Sequence, residues 1–433
     1  MNVGMSYSQT LSRRLDSLLV RNGDTLRLVS SGKVHEGTLM PHHDFSDPDV
    51  LVLKLKSGYN VGVKVGEEDT LEVISRAEVK KPVAKDEVVK EGDRPRVAII
   101  GTGGTIASFV DYRTGAVHPA LSTEALVSQV PELEDYVDID SKVLFSIFSE
   151  NMAPSHWQEL ALAVANELNK GAEAVLIPHG TDTMGYTAAA LAFMLGEIPR
   201  PVILVGAQRS SDRPSSDANS NLIAALRFAV EQDVAEVCVL MHDGPSDDSF
   251  AVHFGTRVRK MHTSRRDAFK SINVYPLANI SDDGTVINHP CRRKSDIRVE
   301  PRIELEKDVA LLQYYPGMKP AHFEKALSGG KGAVIAGTGL GHVNKDMVGL
   351  IENSVYGGSP VVMTSQCLNG CTNLTVYDTG RDLLRAGVIT VQDMLPETAY
   401  VKLMWSLANS DDVTATMQTP LANEMGERRE MDV

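Results

Sequence analysis

Cysteine, tryptophan and long apolar runs are all scarce in this chain, and each shortage removes a class of protein. Four cysteines, Cys238, Cys291, Cys367 and Cys371, are too few and too scattered for a disulfide framework. Cys367 and Cys371 lack the second pair that a zinc site would need, so no structural metal is expected, and both are read as buried, inert thiols. No uninterrupted apolar run approaches the roughly 20 residues of a spanning helix, and no basic-plus-apolar leader opens the sequence. The expectation is a globular, cytoplasmic protein without a membrane partner. Positive charge is the minority as well: 43 Lys and Arg against 57 Asp and Glu give a formal net charge of -14. A surface of that sign repels phosphates, which excludes nonspecific nucleic-acid binding and leaves any RNA contact local or made through a partner.

What remains is ample for several cores, with 433 residues of which 42% are hydrophobic. From about Asp24 to Val73, short β-rich runs (LRLV, EGTLM, VLVLKLK, YNVGVKV) alternate with turn residues. That texture predicts a small all-β module within residues 1–80 resembling an SH3-like barrel. His42 and His43 fall in a loop of it and are expected on the surface. The charged, proline-flanked KKPVAKDEVVKEGDRP reads as a linker, with 81–95 as its bounds. Strand and helix patterns then alternate over 96–290, pause in a second charged linker at 291–306, and resume over 307–425 before a polar, frayed tail at 426–433. This alternation is the signature of doubly wound α/β domains. Helices are expected near Met184 to Leu195 and Asp217 to Val230. Another starts near Ser155 and Gln158, which could form a capping box.

The chemistry-bearing stretch is VAII (Val97 to Ile100) running into GTGGTIAS (Gly101 to Ser108). Gly103 and Gly104 let the backbone turn closely at the C-terminal end of a buried parallel strand, which is where open α/β sheets bind ligands. Thr105 stands at that turn. The pattern recurs where AVLIP (Ala174 to Pro178) ends in HGTDTMGYT, placing Thr181 and Asp182 at a second strand mouth. A threonine nucleophile needs a base and donors for the developing oxyanion, which backbone amides at the strand ends could supply. Lys260 could relay protons, although among Arg257, Arg259, Arg265 and Arg266 it reads on its own as part of a charged face. Cys367 has no His and Asp arrangement around it in sequence and is disfavoured as a nucleophile.

TGGTIA (Thr102 to Ala107), HGTDTM (His179 to Met184), VGAQR (Val205 to Arg209) and the lysine of VRK resemble, in order and spacing, the signature segments of bacterial-type L-asparaginases and glutaminases. The resemblance covers about Arg96 to Ala408. It implies an asparaginase-like fold of two doubly wound domains behind the small barrel. It further implies that Thr105 is the acylated nucleophile, that Thr181, Asp182 and Lys260 form the proton-relaying set, and that Asp182 anchors the substrate's α-amino group. Ser149 and Glu150 match the segment that holds the substrate's α-carboxylate and amine. Tyr112 resembles the lid tyrosine, although a surface tyrosine fits the same loop. SQCLNG (Ser365 to Gly370) resembles a family segment at the domain junction, with Cys371 where relatives often carry a basic residue.

A plain asparaginase needs no β-module before its first strand. The module and its charged linker resemble the D-subunit family of archaeal glutamyl-tRNA(Gln) amidotransferases. That resemblance implies glutamine hydrolysis here, with the ammonia passed to a separate E subunit that carries ATP and magnesium and amidates Glu-tRNA(Gln). It also implies a homodimer of this chain, contact with tRNA(Gln) through the complex, and no cofactor in this subunit. The alternatives are a stand-alone cytosolic L-asparaginase with an accessory domain and a noncatalytic protein on the same fold.

Overall fold

The computed structural model describes residues 7–21, 23–40, 42, 47–55, 60–66, 68–76, 94–104, 108–110, 117–119, 137–209, 216–422 and 426–428. The chain falls into two compact units, one drawn from residues 1–93, 108–120 and 209–216 and the other from residues 94–107, 121–208 and 217–433.

The first unit contains a five-stranded antiparallel sheet in the order β4-β3-β2-β1-β5, made of β1 (Thr25–Ser30), β2 (Lys33–Leu39), β3 (Val50–Lys54), β4 (Asn60–Lys64) and β5 (Thr70–Ser75). Period-two alternation sends Leu26, Leu28, Leu39, Leu51, Leu53, Val63 and Leu71 into one core. Ser31 and Gly32, both at positive φ, close the β1–β2 hairpin in the manner that matches strand twist. The expected β-module is present, with one addition. Helix α1 (Gln9–Ser17), capped by Ser8 accepting the Leu11 N–H, buries Leu11 and Leu15 in the same core. Two leucines four residues apart in QTLSRRLDS are too short a signal to predict a helix from sequence. His42 is a correction: it is 7% exposed, its ring 4.1 Å from the Tyr7 ring at a tilt of 42°, its Nε2 donating to the Asp47 carbonyl at 3.0 Å. Packing of the aromatic pair outweighs the polarity of the loop. His43 lies outside the described residues, as does most of the linker.

The second unit is built on an eight-stranded sheet in the order β17-β16-β13-β12-β11-β10-β6-β9. Its parallel half is β6 (Arg96–Gly103), β9 (Asp138–Ile147), β10 (Ala174–Pro178), β11 (Val202–Val205) and β12 (Val237–His242). The antiparallel strands β13 (Ser249–Phe254), β16 (Ala278–Ser281) and β17 (Gly284–Ile287) extend it. Helices α2 (Pro154–Asn169) and α3 (Met184–Leu195) fill the core on one face, and α4 (Ala218–Glu231) fills the other. Both faces are covered over the centre of the sheet, so its inner strands are near-continuous apolar runs, as VILV and AVLIP are, whereas the edge strand β9 (DIDSKVLFSI) is mixed and only partly buried. Helix α2 starts at Pro154, and the His156 ring accepts the Ala153 N–H at 3.0 Å; the expected box from Ser155 and Gln158 does not form, because Gln158 instead donates to the Ile303 carbonyl.

A second, four-stranded parallel sheet joins β18 (Val309–Gln313), β19 (Gly332–Gly337), β20 (Val361–Ser365) and β21 (Ile389–Thr390). Helices α5 (Pro320–Leu327), α6 (Val348–Tyr356) and α7 (Asp378–Arg385) pack with residues of one face. Helices α8 (Pro396–Asn409) and α9 (Val413–Gln418) pack with residues of the other. Helix α8 is shared: Val401, Met404 and Trp405 enter the core around α3. Helix α3 is therefore enclosed between sheet and helix, which accounts for its nearly all-apolar sequence.

Two short hairpins complete the described backbone, β7 (Ser108–Val110) with β8 (Val117–Pro119), and β14 (Val258–Lys260) with β15 (Phe269–Ser271). Two further expectations are corrected. Cys367 is exposed and Cys371 partly buried, because both lie in irregular turns after β20 and not in a strand. The tail does not fray at once: Glu427 is fully buried, paired with Lys402 and accepting the Leu421 and Ala422 N–H groups. Residues 429–433 lie outside the described residues. No helix among the described residues is long and apolar enough to cross a membrane.

Candidate active site

Three neighbouring parallel strands, β10, β6 and β9, deliver their C-terminal ends to one spot. At the end of β6, Gly103 and the following Gly104 take φ of +97° and +79°. A Cβ on Gly104 would sit 2.3 Å from Gly180, and one on Gly180 would sit 2.6 Å from Ser149 Cβ. The turns after the three strands are therefore in backbone contact, and only glycine permits it. Thr102 Oγ1 donates to the Pro178 carbonyl at 2.9 Å, and Thr183 Oγ1 donates to the Ser149 carbonyl at 2.8 Å, tying the turns together laterally.

Thr181, Asp182 and Lys260 meet there. Lys260 Nζ donates to Thr181 Oγ1 at 2.8 Å and to Asp182 Oδ1 at 2.8 Å. Ser149 Oγ reaches Asp182 Oδ2 at 3.5 Å. Burial is graded across the cluster. Thr181 and Ser149 are buried and the Lys260 side chain is 14% exposed, whereas the Asp182 side chain is 66% exposed. A carboxylate that presents its open side to solvent can still accept the cation of a ligand, and the buried hydroxyl and amine behind it lie within proton-transfer distance of each other. His179, fully buried below the turn, donates through Nδ1 to the Gly180 carbonyl at 2.7 Å. Burial pushes its imidazole down to about 4 against the pull of that hydrogen bond, so the ring is neutral at neutral pH.

Of the residues singled out in sequence, Ser149, Thr181, Asp182 and Lys260 are brought together from widely separated parts of the chain. Glu150 shares the 3-10 turn Ser149–Asn151 and is exposed, with no hydrogen bond to Lys260 or Asp182 among the described residues. Thr105 and Tyr112 lie outside the described residues; the residue before Thr105, Gly104, is the one that touches the Gly180 turn. Sequence reading did not find Thr102 and Thr183 as lateral ties. A hydroxyl between two strand-end glycines is the signal that could have marked Thr102; Thr183, just before the first turn of α3, carries no such neighbour. Among the described residues no cluster of His, Cys, Asp and Glu could hold a metal ion.

An α/β body of mainly parallel sheets covered by helices on both faces, whose glycine turns set threonine and aspartate beside a lysine from a short hairpin, belongs to the asparaginase and glutaminase class. Residues 96–292 match the family described as Asparaginase, N-terminal, and residues 308–419 the Glutaminase/Asparaginase C-terminal domain. Residues 20–74 match the GatD N-terminal domain. The chain is 50% identical to the D-subunit of the Pyrococcus furiosus glutamyl-tRNA(Gln) amidotransferase, with 94% of each chain covered. It is 44% identical to the corresponding protein of Methanosphaera stadtmanae, over 98% of this chain and 97% of the relative. It belongs to the family of glutamyl-tRNA(Gln) amidotransferase D-subunits. Among solved structures, the thermostable L-asparaginase from Thermococcus kodakarensis superimposes with a TM-score of 0.70 at 31% identity, covering 78% of this chain and 100% of that one.

Proposed function

We propose that this chain is the glutaminase of a tRNA-dependent amidotransferase, hydrolysing glutamine to supply ammonia for converting Glu-tRNA(Gln) to Gln-tRNA(Gln). One observation carries the reading: the D-subunit relatives are matched over nearly their whole length, N-terminal module included, whereas a complete L-asparaginase accounts for only 78% of the chain. A stand-alone asparaginase leaves that module without a role. The partner is an E subunit that binds ATP and magnesium and carries most tRNA contacts, consistent with the formal net charge of -14 here. Two copies of each subunit would make a heterotetramer through a homodimer of this chain, acting in the cytoplasm where tRNA is charged. This subunit needs no cofactor of its own.

In the proposed mechanism, Thr105 Oγ attacks the side-chain carbonyl of glutamine, and the amide nitrogen leaves as ammonia after accepting a proton. Water then attacks the acyl-threonine and releases glutamate. Lys260 Nζ, held on Thr181 Oγ1 at 2.8 Å, takes and returns the protons through that hydroxyl. Asp182, exposed and anchored by Lys260 and Ser149, receives the substrate's α-ammonium. Docking that cation on the open side of Asp182 places a second positive charge beside Lys260 on the same carboxylate. Backbone N–H groups of the glycine turns stabilise the oxyanion.

The test is ammonia release from glutamine and from asparagine by the wild type and by Thr105→Ala, with and without partner and Glu-tRNA(Gln). Glutamine hydrolysis that rises when partner and tRNA are added, and vanishes in Thr105→Ala, is expected. Fast asparagine hydrolysis indifferent to the partner would overturn the assignment in favour of a free asparaginase.

A further inference from the structure

Lys260 is the last residue of a three-residue strand, yet its ammonium is placed on two acceptors at once. The hairpin holding it, Val258–Lys260 paired with Phe269–Ser271, is too short to fix its own register. Side chains alternate along it. Val258 and Lys260 face the α3 side: Val258 is buried in the core around α3, and its carbonyl lies where a Cβ on Gly185, in the first turn of α3, would be 3.1 Å away. Arg257 and Arg259 face the other way, toward the start of α8.

The turn leading into the strand, through Thr256 and Arg257, and the strand residue Arg259 are each tied to the segment at the start of α8 or to Gly426. Thr398 Oγ1 donates to the Thr256 carbonyl at 2.9 Å. Arg257, 1% exposed, donates from Nη1 to Asp393 Oδ2 at 2.7 Å and from Nε to the Gly426 carbonyl at 3.0 Å. Arg259 pairs with Glu397 at 3.5 Å. The Gly426 carbonyl is itself held in place because its neighbour Glu427 is locked by Lys402 and by the Leu421 and Ala422 N–H groups. Nothing in the proposed chemistry uses this buried Arg257–Asp393 pair. A buried ion pair gives little net stability compared with apolar side chains of the same size, whereas it fixes geometry through directed hydrogen bonds.

We infer that Arg257 is a positioning residue for Lys260. Its bonds to Asp393 and to the Gly426 carbonyl fix the register and tilt of Val258–Lys260, so that the opposite face of the strand delivers Nζ to Thr181 and Asp182. The C-terminal segment around Gly426 and Glu427 thereby belongs to the catalytic scaffold, although it touches no reacting group. This inference rests on the reading of Lys260 as the proton relay.

The test replaces the pair by apolar side chains, Arg257→Met with Asp393→Leu, so that no uncompensated charge is left buried. Thermal unfolding, and kcat and KM for glutamine, are then measured in the complex with the partner subunit. A displaced Nζ is expected to lower kcat per folded enzyme by about 10²-fold while KM stays within about twofold, with the melting temperature retained. Unchanged kcat per folded enzyme would assign the pair a purely structural role and overturn the inference. If the double variant does not fold, Arg257→Lys keeps the buried charge beside Asp393 but gives up the planar fork that holds Asp393 and the Gly426 carbonyl together. A fall in kcat of about fivefold at constant KM supports the inference, and no fall overturns it. Lys260→Met is run in parallel. If that variant is fully active, the relay reading fails first and takes the inference with it; if it is inactive while the pair variants keep full kcat, only the inference fails.

Discussion

Gly180→Ala is the smallest change that should disable the site while leaving the fold intact. Gly180 does not need a positive φ, so alanine is compatible with its backbone and the cost is one of contact alone. The added methyl carbon would lie 2.6 Å from Ser149 Cβ and 2.8 Å from Ser149 Oγ. Carbon atoms in ordinary contact stand about 3.5 Å apart, so either the Ser149 turn or the Thr181–Asp182 turn must retreat by about 0.9 Å. A displacement of about 1 Å in a catalytic constellation costs about 10²-fold in rate. The clash is confined to the strand ends, above the buried runs of β6 and β10, so the melting temperature should move little. The assay is steady-state ammonia release from glutamine with partner and tRNA present, alongside a thermal melt. If Ser149 yields, KM rises; if the Thr181–Asp182 turn yields, kcat falls. A variant whose kcat/KM stays within about threefold of wild type would refute the claim that close packing of the glycine turns sets the site geometry.

Two other expectations follow from single interactions. Asp182→Asn keeps the shape of the side chain but removes the charge that pairs with Lys260, so KM for glutamine should rise by about tenfold or more, as expected for loss of a charge-assisted contact to the substrate's ammonium; an unchanged KM would remove Asp182 from substrate binding. Glu167, buried in the last turn of α2, pairs with Arg96, Lys142 and Lys170. Burial alone would raise its carboxyl, but hydrogen bonds from Lys142 and Arg96 hold it down to about 2, against 4.5 when unpaired. Its stabilisation is therefore present above about pH 4.5 and lost as the pH falls toward 2, an effect of about 1–2 kcal/mol after allowing for the exposure of the lysines. Glu167→Gln should lower unfolding free energy by that amount at pH 7, and the gap from wild type should narrow in acid. A gap that widens in acid would contradict the sign.

The sequence alone determined the parts whose information is local. Period-two alternation in LRLV and VLVLKLK encodes the N-terminal sheet, unbroken apolar runs such as AVLIP encode strands covered on both faces, and the apolar helix from Met184 to Leu195 occurs where it was expected. The glycines of GTGGT and HGTDT marked the ligand end of the sheet, because glycine at a strand mouth is a backbone requirement visible one residue at a time. Tertiary structure alone decided what depends on residues distant in the chain. Lys260 looked like one more member of an arginine-rich charged face until the β14–β15 hairpin turned it toward Thr181, 79 positions earlier. His42 is buried because Tyr7 covers it, and Glu427 is buried because Lys402, 25 positions away, requires a counter-charge. Local propensity carries strand, helix and turn, since those depend on neighbouring dihedrals and side-chain period. Burial of charge and the aim of the Lys260 amine depend on which distant surfaces close over them, and that is fixed only when the chain packs.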